Sequence, residues 1–474
     1  IARSNAHSRE LGAILNTYLQ VNPIEKLTLR TQFGANAHYR RSDSFVPKFN
    51  MDPLEKQDLN EITRRNQEWF DWNWTNTATY MDTFAEKHNL NVMAGFTAER
   101  FAWYNTQARR DNVPNNLDQM QEVNAGQQGT DEANGETTYN TLVSFLGRVM
   151  YNYDNRYYIS ASLRADGSSR FPKGSKYALF PSVSASWRVI SEAFMQDQDI
   201  FSDLKLRGGW GRVGNQNINN NATLTLLSET QYYYGNTLAN GYFVSTVGNN
   251  QLKWETVEDW NVGVDMSFLD SRLGVTFEYF QKKSIDMLYQ KQNILSLGYD
   301  NWNSQIGSMQ ARGWEVGLTW RDEIGKDFSY DLGLNLSAVR NKAIKFSGDG
   351  PINVGGFNSD QIIRNEDGGF ISRFYGYVAD GLFQNWEEVY AHTDEHGTLI
   401  QPNAKPGDIR FKDRDHNGVL DANDKDYIGN PYPDLMMGLN IGMRYKNIDF
   451  AANFYGTFGN DIYNVTKGRY SGSG

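Results

Sequence analysis

Apolar and polar residues alternate one for one along most of this chain. From Trp254 to Phe268 one set is Trp254, Thr256, Glu258, Trp260, Val262, Val264, Met266 and Phe268. The interleaved set is Glu255, Val257, Asp259, Asn261, Gly263, Asp265 and Ser267. Leu273, Val275, Phe277 and Tyr279 stand against Gly274, Thr276 and Glu278. Phe328 to Leu336, Leu435 to Tyr445 and Phe70 to Trp74 repeat the pattern. A period of two belongs to the β-strand, whose successive side chains point to opposite faces. About fourteen such segments are expected, near 11–21, 25–37, 66–82, 88–104, 138–153, 156–166, 176–190, 203–214, 253–268, 271–282, 305–321, 326–339, 433–446 and 448–458.

The polar set is the more informative about which kind of sheet this is, although a soluble sheet could show it too. In a soluble sandwich Lys and Glu dominate the face that meets water. Here that face is mostly Gly, Ser, Thr, Asn and Asp, which suits a crowded, wet barrel interior. The apolar set carries aromatics toward strand ends, at Trp254, Trp314, Trp320 and Tyr445, where interfacial girdles would place them. Phe277, Val275, Leu334 and Leu439 are therefore expected to face lipid, with Asp265, Glu278, Asn335 and Asn440 facing inward. The connections alternate in length as well. Short ones fall at Asn22-Pro23, Glu86-Lys87, Asp154-Asn155, Asp270-Ser271, Gly325-Lys326 and Asn447, with a medium one from Ser191 to Ser202. Long ones fall at 38–65, 105–137, 215–252, 283–304 and 340–432, with 167–175 shorter. Turns at one rim and loops at the other describe an outer-membrane barrel.

Composition removes other classes. Tyr 27, Phe 26 and Trp 12 make the chain 14% aromatic, and Gly 43 against Pro 11 suits long sheets with glycine-rich loops. With no Cys there is neither a disulfide scaffold nor a thiolate metal site. A net charge of −10 gives nucleic-acid binding no electrostatic support. No apolar run approaches the ~20 residues of a membrane helix. The six His residues show no HExxH spacing, and neither GxSxG nor a Walker loop occurs, so an enzyme is not expected.

Five stretches carry a family resemblance. They are YISASLRADGSSRF (158–171), LKLRGGWGRVGNQNI (204–218), LKWETVEDWNVGVDMSFLDSRLGVTFEYFQKKSIDMLY (252–289), NSQIGSMQARGWEVGLTW (303–320), and the run from GDIRFKDRDHNG to GTFGNDIYN (407–464). In order and spacing they resemble the SusC/RagA family of TonB-dependent transporters. The resemblance implies an all-β fold, a large antiparallel transmembrane barrel of 22 strands closed inside by an N-terminal plug. It implies import of oligosaccharides or peptides across the outer membrane of a Gram-negative bacterium. A SusD-like lipoprotein would sit over the outer mouth, and the TonB complex would pull on the plug. The opening IARSNAHSRE lacks a signal peptide, so residues 1–474 are expected to be a partial barrel domain, without plug and terminal strands. TonB would act through that missing N-terminal part. The competing reading is a surface adhesin or glycan-binding β protein.

Three sets of residues are candidate sites. Asp413, Asp415, Asn417, Gly418, Val419 and Asp424 follow calcium-loop spacing, with oxygen donors at positions 1, 3 and 5, Gly at 6, a carbonyl at 7 and an acid at 12. Asp in place of Glu at the last position shortens the closing ligand, and the plainer reading is an acidic turn without metal. Tyr232, Tyr233 and Tyr234 lie in a long Asn- and Gly-rich loop, where aromatic rings suit sugar C–H faces, or a packed loop, or contact with a lid. Tyr299 and Trp302 carry the same ambiguity. Asp259, Asp265, Glu278, Asp331 and Arg444 are lumen candidates, for selectivity or for bracing the wall. The loops at 215–252 and 340–432 are expected to meet the lipoprotein, since they exceed what hairpins need.

Overall fold

The computed structural model describes residues 5–53, 55–291, 302–305, 307–345, 350–357 and 360–467. Tyr299 lies outside them. Fourteen strands form one sheet: Asn5–Ile24 (β1), Leu27–Val46 (β2), Glu61–Phe84 (β3), His88–Asp111 (β4), Glu132–Tyr153 (β5), Tyr157–Ser168 (β6), Tyr177–Arg188 (β7), Phe201–Asn215 (β8), Glu255–Phe268 (β9), Leu273–Ile285 (β10), Ser308–Ile324 (β11), Phe328–Lys345 (β12), Leu435–Tyr445 (β13) and Ile448–Phe458 (β14). Each pairs antiparallel with the next in sequence. All fourteen expected segments are present.

Register separates the two faces. Leu206, Val264, Phe277, Val316, Leu336 and Met437 lie in one row across β8 to β13. The row one residue away reads Arg207, Gly263, Glu278, Glu315 and Ser337. Val275, Leu318, Leu334 and Leu439 share the apolar face, and Asn335 and Asn440 the polar one. The apolar face is open: Leu11 is 71% exposed and Leu163 51%. A surface of that kind is untenable in water and natural against lipid.

Aromatic residues mark the edges of the apolar band. At the short-turn rim Phe84, His88, Tyr153, Tyr157 and Trp187 run across five strands on the apolar face, with ring centroids 5.0–6.5 Å apart. Glu192, in the medium connection, accepts hydrogen bonds from Tyr157 Oη at 2.5 Å and Trp187 Nε1 at 3.0 Å. Toward the loops, Trp210 opposes Trp260, and Tyr279 opposes Trp314. Trp254 is a correction. It belongs to no girdle but is 6% exposed, packed between Phe171 and Phe180 at the loop rim, with Nε1 donating to Lys176 O.

The strands near the amino end overrun their expected bounds. β2 continues past Ala37 to Val46, and β3 and β4 reach 24 residues each. A tilted membrane strand needs only ~9–11. Beyond the apolar band both faces are polar, so alternation fades while pairing continues. Ion pairs such as Arg64–Asp43 (2.6 Å) and Arg109–Glu61 (3.1 Å) replace it. The long 340–432 segment is also folded. Ile352–Phe357, Asp360–Asn365, Arg373–Tyr377 and Lys425–Gly429 form a four-stranded sheet, beside a short helix Trp386–Ala391 (α1) capped by Asn385. Its buried apolar residues include Phe383, Val389 and Ile400.

Leu334→Arg should cost roughly 2–4 kcal/mol, because Leu334 sits six residues from the short turn, near the middle of the band. Asn335→Arg, on the opposite face, should cost far less. Urea unfolding in liposomes measures both. Equal costs would overturn the assignment of faces.

Candidate functional site

The polar face of the wall is braced by ion pairs. Arg207 on β8 reaches Asp265 on β9 at 3.3 Å and Glu278 on β10. Sequence reading singled out both acids and missed the arginine that joins them. Its signal was there: a cation in LKLRGGWGRVG on the polar face, set opposite a glycine that leaves room for its head. A Cβ on Gly263 would lie 2.9 Å from the Arg207 guanidinium. Asp259 pairs with Lys282 at 3.6 Å, and Arg444 with Asp449 at 3.7 Å on exposed side chains. Asp331 shows no ion pair among the described residues and abuts Gly442 instead. These candidates line one face but do not converge on one point. Ser182, Ser184, Ser186, Gly209 and Gly211 flatten the same face of β7 and β8, beside a concavity of about 1030 Å³.

At the loop rim a second knot ties two connections to strand β5. Arg170 donates to Asn220 Oδ1 at 2.8 Å and to Gln216 O at 3.1 Å, and Asn220 Nδ2 reaches Thr138 at 2.6 Å. Burial alone lowers the Arg170 pKa from its ordinary value.

The three tyrosines form a strand edge and not a coil. Leu226–Tyr234 pairs with Thr237–Thr246 in a projecting hairpin. Tyr232 and Tyr234 share a face, rings 5.5 Å apart and edge-on, while Tyr233 points to the other. All three are two-thirds exposed or more. Trp302 begins a two-stranded pairing with Leu288–Lys291.

The acidic loop is the most organised of the expected sites. Asp413, Asp415 and Asp424 bring one carboxylate oxygen each within 4.8 Å of one another. Gly418 N donates to Asp413 Oδ2 at 2.8 Å, which leaves Oδ1 buried and without a hydrogen-bond partner. Gly418 takes φ +82°, and a Cβ there would meet Asp394 at 2.5 Å, so glycine is required twice over. Asn417 turns its amide to Asp415 Oδ2 at 3.0 Å and accepts from Val419 N at 2.8 Å. Asp424 is wholly buried and accepts from the Arg414 and Asp421 N–H groups, each at 2.7 Å. Burial works to raise its pKa, but the backbone donors of Asp421, Arg414 and Asp415 outweigh it, so the carboxyl titrates below the ordinary 3.8. Nearby, Arg364 lies over the Tyr375 ring at 4.5 Å and Arg373 over Tyr427 at 4.1 Å. Burial, then the Glu366 carboxylate, pushes the Tyr427 phenol up to about 12.

A lowered pKa means that the stabilisation Asp424 supplies is complete above 3.8 and is lost as pH falls through the lower folded value. Asp424→Ala strips two backbone N–H groups of their acceptor, at a cost of about 1–3 kcal/mol. Amide exchange across 413–424 should accelerate in the variant at neutral pH, and in the wild type only in acid. Unchanged exchange in the variant would show that this carboxylate does not anchor the loop.

Comparison with known proteins follows this geometry. The family described as "TonB dependent receptor-like, beta-barrel" matches residues 4–474. TonB-dependent receptor P3 of Formosa agariphila is 30% identical over 395 residues, covering 82% of this chain and 39% of its own length. TonB-dependent receptor SusC of Bacteroides thetaiotaomicron is 33% identical over 341 residues, covering 70% of this chain and 32% of its own. The structure of the RagAB peptide transporter superposes with a TM-score of 0.81 at 23% identity, over 96% of this chain and 48% of that one. That likeness shows the fold. The chain spans less than half the length of these relatives.

Proposed function

Because the chain belongs to the TonB-dependent receptor β-barrel family, in its SusC/RagA branch, we propose that it is the wall of a transporter that imports oligosaccharides or peptides too large for porins. The protein resides in the outer membrane of a Gram-negative bacterium. The observation that carries the reading is the pairing of an apolar, lipid-facing exterior with a hydrophilic, ion-paired interior over fourteen consecutive strands. A wall of this kind encloses a polar passage. Energy comes from the TonB complex acting on a plug. A SusD-like lipoprotein covers the mouth and rests on the folded loops between β8 and β9 and between β12 and β13. The exposed Tyr232–Tyr234 hairpin and the 350–430 insertion supply the contact area. Cells lacking TonB should lose growth on the cargo, and mild detergent should co-isolate the lipoprotein with the barrel. Recovery of the barrel alone, with loops intact and the lipoprotein expressed, would count against the partnership. Growth that ignores TonB would overturn active import.

The acidic loop, in the same reading, holds one calcium ion. Asp413, Asp415, Asn417 and Asp424 supply side-chain oxygens and Val419 a carbonyl. The unpartnered Asp413 Oδ1 supports this, since a hard cation satisfies a buried oxygen that no donor reaches. Asn417 must swing from Asp415 to join, a rotation open to an exposed side chain. The ion's role is to order the insertion, with an affinity in the ~10⁻⁴–10⁻³ M range of extracellular modules. Chelation should speed amide exchange over 413–424 in the wild type and add nothing in Asp415→Ala. A wild-type loop indifferent to both chelator and millimolar calcium would remove the metal from the reading.

A further inference from the structure

On β4 the lipid-facing register carries a cation that import does not use. Arg100 stands on β4 in the apolar register, between Ala98 and Ala102, opposite Trp72 on β3 and Thr141 on β5. Its guanidinium lies 5.2 Å from the ring centroid of Tyr139, itself 59% exposed on that face. Among the described residues no carboxylate pairs with Arg100, and its Nε is buried without a hydrogen-bond partner. Farther out on β2 to β4 the arginines of this register have acids: Arg41 and Arg64 share Asp43, and Arg110 meets Asp131. All of Arg100's immediate strand neighbours are described, so its isolation is a property of its place in the sheet.

Height above the short-turn rim says what could answer it. His88 sits in the aromatic rim, and Arg100 is twelve residues along the same strand (100 − 88). At ~3.3 Å per residue and a tilt of ~40°, that is a rise of ~30 Å, against an apolar band of ~25 Å. The guanidinium therefore emerges where acyl chains give way to headgroups on the far leaflet. Anions fixed at that level are lipid phosphates, and a planar guanidinium binds phosphate through paired N–H groups.

We propose that Arg100, backed by the Tyr139 ring and flanked by Trp72, is a binding site for the phosphate of an outer-leaflet membrane lipid. The Nη groups donate to the phosphate. The Nε edge stays packed on the sheet, and the two aromatic rings lie along the lipid's apolar part. The site fixes one annular lipid against β3 to β5 and sets the height of this wall in the bilayer. The full-length transporter, extracted in mild detergent and incubated with lipid A, provides the test, with bound lipid counted by native mass spectrometry. Arg100→Ala and Arg100→Gln should each retain about fivefold less lipid A than the wild type, the effect expected of one basic residue near a charged surface. Lipid A stripped of its phosphates should bind wild type and variants alike, and millimolar inorganic phosphate should not displace the intact lipid. Either variant that keeps wild-type heat-modifiability on a gel carries the comparison. Equal retention by such a variant overturns the proposal. Displacement by inorganic phosphate does so too, since it would mean a free-anion site and not a lipid seat.

Discussion

A backbone amide in hydrocarbon has no water to turn to, and this constraint governs the whole molecule. Every strand must find both ladders, and the only way to do so across a membrane is continuous pairing. The register shows how strictly that holds. Irregularities between β1 and β2, between β8 and β9 and between β11 and β12 fall at strand ends, at Val21/Ile24, Phe201/Asp203 and Ser308/Met309. With the backbone thus committed, side chains are left to serve two solvents. One face is written for lipid and the other for water.

This division explains where packing does and does not occur. A globular domain draws its strength from one interior. Here the buried clusters sit at the loop rim: Phe45, Ile62 and Val113 in one, and Phe171, Phe180, Leu252 and Trp254 in another. Among the described residues the wall itself has no interior of apolar side chains. Its cross-strand bracing on the wet side is ionic, as at Arg207, and on the dry side aromatic, as along Phe84, His88 and Tyr153. Glu192 ties the two regimes together at the turns, where a carboxylate can be solvated and still hold two aromatic heads.

How much of this was legible in the sequence follows from the same division. Strand existence was readable wherever one face met lipid, because the alternation is then forced; Leu334 and Asn335 are placed by it without ambiguity. Strand length was not readable above the membrane. Past Ala37 the run HYRRSDS is polar on both faces, and nothing in a period-two pattern distinguishes a paired polar strand from a loop. Trp254 failed for a related reason, since an aromatic at a strand end reads alike whether it meets lipid or a neighbouring loop. The calcium-like spacing from Asp413 to Asp424 was readable because a local turn is encoded locally. The Arg207 hub was not, because its two acids arrive from β9 and β10 through long-range register.

The overrun of β3 and β4 has a mechanical consequence. Twenty-four residues at ~3.3 Å and ~40° of tilt rise ~60 Å, more than twice the apolar band. On this side the barrel is a chimney, and its rim stands about 35 Å clear of the hydrocarbon (~60 less ~25 Å). Hydrogen-bonded sheet is stiff along its strands. The seat at the top is therefore carried by covalent chain and not by the surrounding lipid. Thickening, thinning or reordering of the bilayer would slide along the shaft without tilting what rests on it, so that the mouth keeps its geometry while the membrane around it changes.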